Sequence, residues 1–213
     1  MTYITSNVTL STPCHVKNII RWSLKIADQE QEAFYPLITA RIFTAMMFEG
    51  VISFIGETVI PDWNISPENG RAKSHESIGK KHKMARLAIN LSNDRNDYRE
   101  KADKIDELFK FRDSLVHPQV IKETALRSLD ESTFAGLPSI PNIAWEQEVD
   151  KDLIERDFKL VEEYSHELCD AAANYLNSLS LEDYNATYPN NEMTANYYAT
   201  NIRLLLVSSG SAF

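Results

Sequence analysis

The stretch from Asp97 to Pro118 reads DYREKADKIDELFKFRDSLVHP and is the clearest helix in the chain. Asp97, with Glu100 three residues later, matches a capping box, which satisfies free backbone N–H groups at the start of a helix. Pro118 disfavours helical geometry at the residue before it and so ends the helix. One face of this motif helix is apolar and is expected to pack on a core. That face carries Ile105, Leu108, Phe109, Leu115 and Val116.

The chain before the motif helix also favours helices. Thr12 followed by Pro13 has the order of an N-cap and a first helical residue, which predicts a first helix extending to about Ala33. We expect Pro36 to separate it from the next helix. The segment 37–60 is apolar on nearly every side, so it is predicted to be the central and most buried helix.

Glycines and a further helical segment complete this half of the chain. Gly50 and Gly56, with Ser53 between them, form a small-residue face that predicts a close helix crossing. A third helix is expected over residues 75–92. Its inward residues are expected to be Ile78, Ala85, Leu87, Ala88, Ile89 and Leu91.

The chain after the motif helix begins with a segment that has no long periodic pattern. Residues 119–148 contain glycine and prolines, so we expect a long loop with at most one short helix. A strongly amphipathic helix follows over residues 150–179. Residues 191–207 are apolar enough for a last helix that docks on the bundle or on a second copy.

These elements predict an all-α protein, an up-and-down bundle of about five to six helices with a long loop after the motif helix. The chain has 213 residues, of which 43% are hydrophobic and 25% charged, which suits one substantial core. We therefore expect a single domain over 1–213. Its parts are an N-terminal arm over 1–12, a core bundle over 37–180 and a C-terminal tail over 181–213.

The composition also indicates where the protein acts. The start of the chain lacks the basic and apolar regions of a signal peptide, and charged residues interrupt the longest apolar run. Cys14 and Cys169 are too few for a disulfide framework and fit free thiols in a reducing compartment. We expect a cytoplasmic protein that does not cross a membrane.

The net charge of −9 argues against a general nucleic-acid coat protein. Basic residues are concentrated in residues 71–86, which hold six lysine and arginine side chains and Glu76 as the single acidic residue. This block precedes the motif helix, and a hairpin of the two segments would attract phosphates. A solvated helix face explains the same charges and is the favoured interpretation of the block alone. The six basic residues are Arg71, Lys73, Lys80, Lys81, Lys83 and Arg86.

Three residues of the motif helix have side chains suited to acid–base catalysis or to binding an anion. They are Arg112, Asp113 and His117. Arg112 falls within the apolar face, where a charge must reach solvent, pair with an acid or lie at a shared surface. A structural hypothesis pairs it with a core acid such as Glu49 or Glu57. Asp113 lies four residues before His117, so its carboxylate orients the imidazole and favours its charged form. A histidine that only caps the helix is the structural alternative.

Taken together, these three residues resemble the R-x4-6-H motif of the HEPN superfamily. Arg112, Asp113 and His117 match the arginine, the polar residue after it and the histidine of that motif. The resemblance implies a HEPN-like bundle over 37–180 and the metal-independent ribonuclease activity of many toxin and phage-defence members. Some relatives have a tyrosine two residues after the histidine, but this chain has Gln119 there.

The resemblance also implies a role for each residue. His117 would transfer the proton of the ribose 2′-hydroxyl or of the leaving 5′-oxygen, and Arg112 would stabilise the scissile phosphate. Asp113 would orient His117, and neither a metal nor a cofactor is needed. Arg112 and His117 lie about 140° apart around one helix, so two copies would build one cleft. The expected RNA-binding residues are Lys80, Lys81, Lys83 and Ser114.

The expected partners are therefore RNA and a second copy, together with an antitoxin protein if the chain is a toxin. A non-catalytic HEPN-like module for dimerisation, or for binding a nucleotide or protein, is the alternative function. An unrelated helical bundle is the third. His166 lies near several acids, but a solvated helix face explains it better than a metal site. His15 and His82 carry no recognisable pattern.

Overall fold

The computed structural model describes residues 12–29, 33–67, 70–92, 94, 96, 98–116, 149–189 and 194–207, without the side chains of Thr12 and Val116. Within these residues the chain forms seven α-helices and no strand, which confirms the all-α class. The helices are α1 (Thr12–Ala27), α2 (Phe34–Val59), α3 (Ile78–Ala88), α4 (Arg99–Val116), α5 (Lys151–Ser178), α6 (Leu181–Thr187) and α7 (Ala195–Leu204), with a 3₁₀ turn at Lys73–His75 before α3.

Helix α2 is the centre of the bundle, as its sequence predicts. Helices α1, α3, α4, α5 and α7 all pack against it, and Phe48, Val51 and Ile52 are fully buried. Its length and composition would also suit a membrane span, but half of its most apolar window is buried inside the fold. The core helix of a bundle has the same length and composition, so these two properties alone do not indicate a membrane span.

The boundary between α1 and α2 differs from the prediction. Pro36 lies inside the first turn of α2, so the prediction that it separates the two helices is wrong. A proline is tolerated there because the first N–H groups of a helix have no intrahelical acceptor. Helix α1 accordingly ends earlier than predicted, at Ala27.

The two glycines of α2 make room for different neighbours. A Cβ atom at Gly50 would lie 3.0 Å from Cγ of Pro13, so this glycine does mark the crossing with α1. A Cβ atom at Gly56 would lie 2.5 Å from Cζ2 of Trp63, which is buried in the loop after α2. Gly56 therefore admits an indole ring against bare backbone rather than a second helix.

The inward face of α3 also differs from the prediction. Leu87, expected inside, is 56% exposed, whereas Lys81, His82 and Arg86 are between 4% and 6% exposed. Together with Ala85 these polar residues occupy the i, i+3, i+4 positions that face the core. Polar side chains therefore lie on the core-facing side of α3, although the spacing of the apolar residues predicts a different inward face. They are buried there because each has a hydrogen-bond partner on α2 or α5.

Helices α4 and α5 follow their predicted patterns. Helix α4 buries Ile105, Leu108 and Phe109, while the predicted cap Asp97 and the predicted end at residues 117–118 lie outside the described residues. The side chain of Asp150 caps α5 by accepting a 2.8 Å hydrogen bond from the Leu153 N–H. The predicted arm and the predicted loop over 119–148 also lie outside the described residues, apart from Thr12.

The C-terminal part contains one helix more than predicted. Ser180 caps α6, because its Oγ accepts a 3.0 Å hydrogen bond from the Asp183 N–H. Helix α7 packs on α5. The residues after α7 meet α1, where the buried ammonium of Lys17 donates a hydrogen bond to the carbonyl of Leu206.

Candidate functional site

The guanidinium of Arg112 is held by two carboxylates and one aromatic ring. Its Nη1 donates a 2.8 Å hydrogen bond to Oε2 of Glu49 on α2. Its Nε and Nη2 donate to Oδ1 of Asp113 at 3.0 and 2.9 Å. The guanidinium carbon lies 4.4 Å from the centre of the Phe109 ring. These contacts fix both the position and the plane of the cation.

Lys81 completes this group from α3. Its Nζ donates a 2.7 Å hydrogen bond to Oε1 of Glu49, so each carboxylate oxygen of Glu49 binds one cation. We name Glu49, Lys81, Arg112 and Asp113 the Arg112 cluster. The side chain of Lys81 is buried, while the side chains of Arg112 and Glu49 are 24% and 36% exposed. The cluster therefore opens to solvent on the side of α4.

The charges of the Arg112 cluster determine the state of Glu49. Burial would raise the pKa of Glu49, but the hydrogen bonds and charges of Lys81 and Arg112 outweigh burial and lower that pKa below its ordinary value. Glu49 is therefore a carboxylate at neutral pH. The four side chains carry two positive and two negative charges.

The other predicted site residues lie in different surroundings. Lys80 is exposed and pairs with Glu76 at 2.9 Å, and Lys83 is exposed on the same helix. Ser114 donates a 2.7 Å hydrogen bond to the carbonyl of Phe111 in its own helix. His117 lies outside the described residues, directly after the end of α4 at Val116.

The basic block of residues 71–86 is thus divided by the fold. Lys80 and Lys83 belong to a solvated face, as the simpler interpretation predicts. Lys81 and Arg86 do not, because both are buried and hydrogen-bonded to other parts of the chain. Among the predicted RNA-binding residues that the structure describes, only Lys81 belongs to the Arg112 cluster.

The contact between Arg112 and Glu49 is the one that the structural hypothesis names. Glu49 is not a core acid, however, since its side chain keeps about a third of its exposure. Glu57, the other acid named, is exposed and accepts a hydrogen bond from Asn64 instead. The ion pair therefore joins α4 to α2 at the surface and leaves Arg112 within reach of a solute.

A second polar group lies deeper, between α3 and α5. The hydroxyl of Tyr164 accepts a 2.8 Å hydrogen bond from Nη1 of Arg86 and lies 2.7 Å from Nε2 of His82. The guanidinium of Arg86 lies 3.8 Å from the centre of the Tyr98 ring. We name His82, Arg86, Tyr98 and Tyr164 the Tyr164 cluster. Burial raises the pKa of the Tyr164 hydroxyl to about 12 although Arg86 opposes that rise.

Local sequence patterns predict neither the Tyr164 cluster nor the burial of Lys81. His82 carries no motif, and its partner Tyr164 is far away in the chain. A signal was nevertheless present, since Lys81, His82 and Arg86 share the helical face of Ala85 and Ile89. Charged residues on an inward face indicate buried partners.

No group of three or more His, Cys, Asp and Glu side chains that could hold a metal ion occurs among the described residues. The comparisons with known proteins add no relative to this picture. No protein-family model, no curated protein and no solved structure matches the chain.

Proposed function

We propose that the protein is a metal-independent endoribonuclease of the HEPN type, of the toxin or phage-defence kind, that works as a cytoplasmic homodimer. The observation that carries the proposal is the state of Arg112. Its guanidinium has five N–H groups, of which three bond carboxylates and two, one on each terminal nitrogen, are engaged by no described residue. A fixed, partly exposed guanidinium with two spare donors suits a phosphodiester.

The proposed reaction uses the RNA's own nucleophile. The ribose 2′-oxygen attacks the adjacent phosphorus, the bond from phosphorus to the 5′-oxygen breaks, and the products carry a 2′,3′-cyclic phosphate and a 5′-hydroxyl. His117 takes the 2′-hydroxyl proton or gives a proton to the leaving oxygen, and Arg112 stabilises the charge on the phosphate. DNA lacks the 2′-hydroxyl and is not cleaved.

The test compares RNA cleavage by purified wild type, Arg112→Ala and His117→Ala in the presence of a chelator. We expect wild type to produce 2′,3′-cyclic phosphate ends, and both variants to lose cleavage by at least about a hundredfold. Arg99→Ala and His15→Ala are matched controls, because both residues are exposed and neither belongs to the Arg112 cluster. DNA of the same sequence is expected to stay intact.

Induced expression gives the second arm of this test. Wild type is expected to arrest growth with cleaved RNA in the cells, and His117→Ala is expected to do neither. Intact RNA and equal growth with wild type and His117→Ala would contradict the proposal.

The contact between Arg112 and Glu49 is the pairing that the third candidate, an unrelated helical bundle, predicts. The second candidate is a non-catalytic module of the same kind that dimerises or binds a nucleotide or a protein. In that case Arg112→Ala would leave RNA intact and would change the assembly state, measured by light scattering. An unrelated bundle would show only a lower free energy of unfolding. The proposed ribonuclease is distinguished from both by loss of cleavage with unchanged folding and assembly.

A further inference from the structure

We propose that Glu49 and Lys81 are positioning residues for Arg112, with Glu49 fixing the direction of its guanidinium and Lys81 offsetting the negative charge of Glu49 beside it. This inference rests on the proposed function. It assigns roles to two residues that neither touch the reacting atoms nor belong to the motif helix.

Glu49 fixes the direction of the guanidinium from the most constrained element of the fold. It lies on α2, against which five other helices pack, so its backbone is held firmly. Its Oε2 accepts from Nη1 of Arg112 at 2.8 Å, while Asp113 takes the opposite edge of the same guanidinium through Nε and Nη2. Because the Phe109 ring lies below the plane, the two remaining N–H groups keep one direction.

Lys81 sets the net charge of the side chains around the proposed phosphate position. Without it, Arg112 would stand between the carboxylates of Glu49 and Asp113, and the three groups together would carry one negative charge. The ammonium of Lys81 brings that sum to zero through its 2.7 Å hydrogen bond to Glu49. Since its side chain is only 7% exposed, Lys81 serves Glu49 rather than the RNA. The lowered pKa of Glu49 fits a carboxylate bound by two cations.

The experiment measures kcat and KM for RNA cleavage in Glu49→Gln and Lys81→Met. We expect kcat to fall by at least about tenfold in each variant, because a guanidinium that is misdirected, or whose charge is offset by two carboxylates, stabilises the transition state less. KM is expected to change less than about threefold, since neither residue is proposed to contact the RNA. Lys81→Arg is expected to retain cleavage, because it keeps the charge.

Matched controls separate this role from general effects of charge. Glu57→Gln makes the same change on the exposed surface of α2, and Lys25→Met removes an exposed lysine from α1. Both controls are expected to cleave RNA as wild type does. Unchanged kcat in Glu49→Gln and Lys81→Met would overturn the positioning role.

A charge-swapped variant, Glu49→Lys with Lys81→Glu, separates positioning from stability. It restores an ion pair between α2 and α3, so the free energy of unfolding is expected to recover toward the wild-type value. It also places a cation beside Arg112, so cleavage is expected to stay low. Recovery of cleavage together with stability would show a purely structural role and would overturn the inference.

The wild-type measurement distinguishes the two proposals. If wild type cleaves RNA, His117→Ala does not, and Glu49→Gln cleaves normally, the ribonuclease proposal stands and the positioning role falls. If wild type shows no cleavage above His117→Ala, the ribonuclease proposal falls, and the positioning role falls with it.

Discussion

The Arg112 cluster and the Tyr164 cluster each include an arginine that is hydrogen-bonded to neighbouring polar groups. Each cluster also includes at least one residue of α3. Lys81 and His82 are consecutive and point about 100° apart around that helix, so one reaches Glu49 on α2 and the other reaches Tyr164 on α5. Arg86 and Arg112 each donate three hydrogen bonds to described atoms. The number of hydrogen bonds therefore does not distinguish a site from a structural group.

Access to solvent does distinguish them. Arg86 is buried against the Tyr98 ring, whereas about a quarter of the Arg112 side chain is exposed. A phosphate can therefore reach the guanidinium of Arg112 but not that of Arg86. We therefore expect changes in the Tyr164 cluster to affect mainly stability and changes in the Arg112 cluster to affect mainly activity.

The largest expected difference in stability is between Arg86→Met and Arg112→Met. Arg86→Met removes charged hydrogen bonds to Tyr164 and to the carbonyl of Ser92 inside the protein, so the free energy of unfolding is expected to fall by about 2–4 kcal/mol. Arg112→Met removes two partly exposed ion pairs, to Glu49 and to Asp113, and is expected to cost less than about 1 kcal/mol. Urea unfolding measures both, and equal losses would break the comparison.

Tyr164→Phe tests the buried hydroxyl on its own. Arg86 and His82 both lose a partner, while the ring and its packing against Phe48 remain, so we expect a loss of about 1–3 kcal/mol. Tyr35→Phe is the control, because Tyr35 is highly exposed and should change stability by less than about 0.5 kcal/mol. Similar midpoints for both variants in urea would show that the hydroxyl of Tyr164 contributes nothing.

The smallest expected effect is the pH dependence of the Arg112 cluster. The pKa of Glu49 is lower in the folded chain than its ordinary value of 4.5, so the folded state binds fewer protons there. Its stabilising contribution is thus complete above that ordinary pKa and is lost as the pH falls through the folded pKa.

Wild type and Glu49→Gln measure this effect. We expect wild type to be more stable in urea by about 0.5–1 kcal/mol near pH 7, and the gap to close as the pH falls below 4.5 and through the lowered pKa of Glu49. A gap that is constant or grows on acidification would show that the charge of Glu49 does not stabilise the fold.

Local patterns predicted the helices whose inward faces are apolar. Ile105, Leu108 and Phe109 mark the buried face of α4, and the apolar run of α2 marks the centre of the bundle. The boundary at Pro36 was wrong because a proline suits a first helical turn as well as a linker. Helix α6 was missed although Ser180 and Asp183 carry a capping signal.

Helix α3 shows why the remainder was not predictable from local patterns. Whether Lys81 is buried depends on Glu49, and whether His82 is buried depends on Tyr164, and both partners are distant in the chain. The apolar periodicity of α3 contains neither partner. Glu49 was named among the acids that could pair with Arg112, but its bridge to Lys81 depends on how α3 packs on α2.

The indole of Trp63 lying against the bare backbone of Gly56 gives the protein a built-in optical probe. Trp63 is 4% exposed and Trp22 is 63% exposed, so an aqueous quencher such as iodide reaches the second ring and not the first. The fluorescence that survives quenching therefore comes in part from the carboxyl end of α2. Once Trp145, the third tryptophan, is replaced by Phe, the emission maximum follows the packing at the carboxyl end of α2 separately from changes on the outer face of α1.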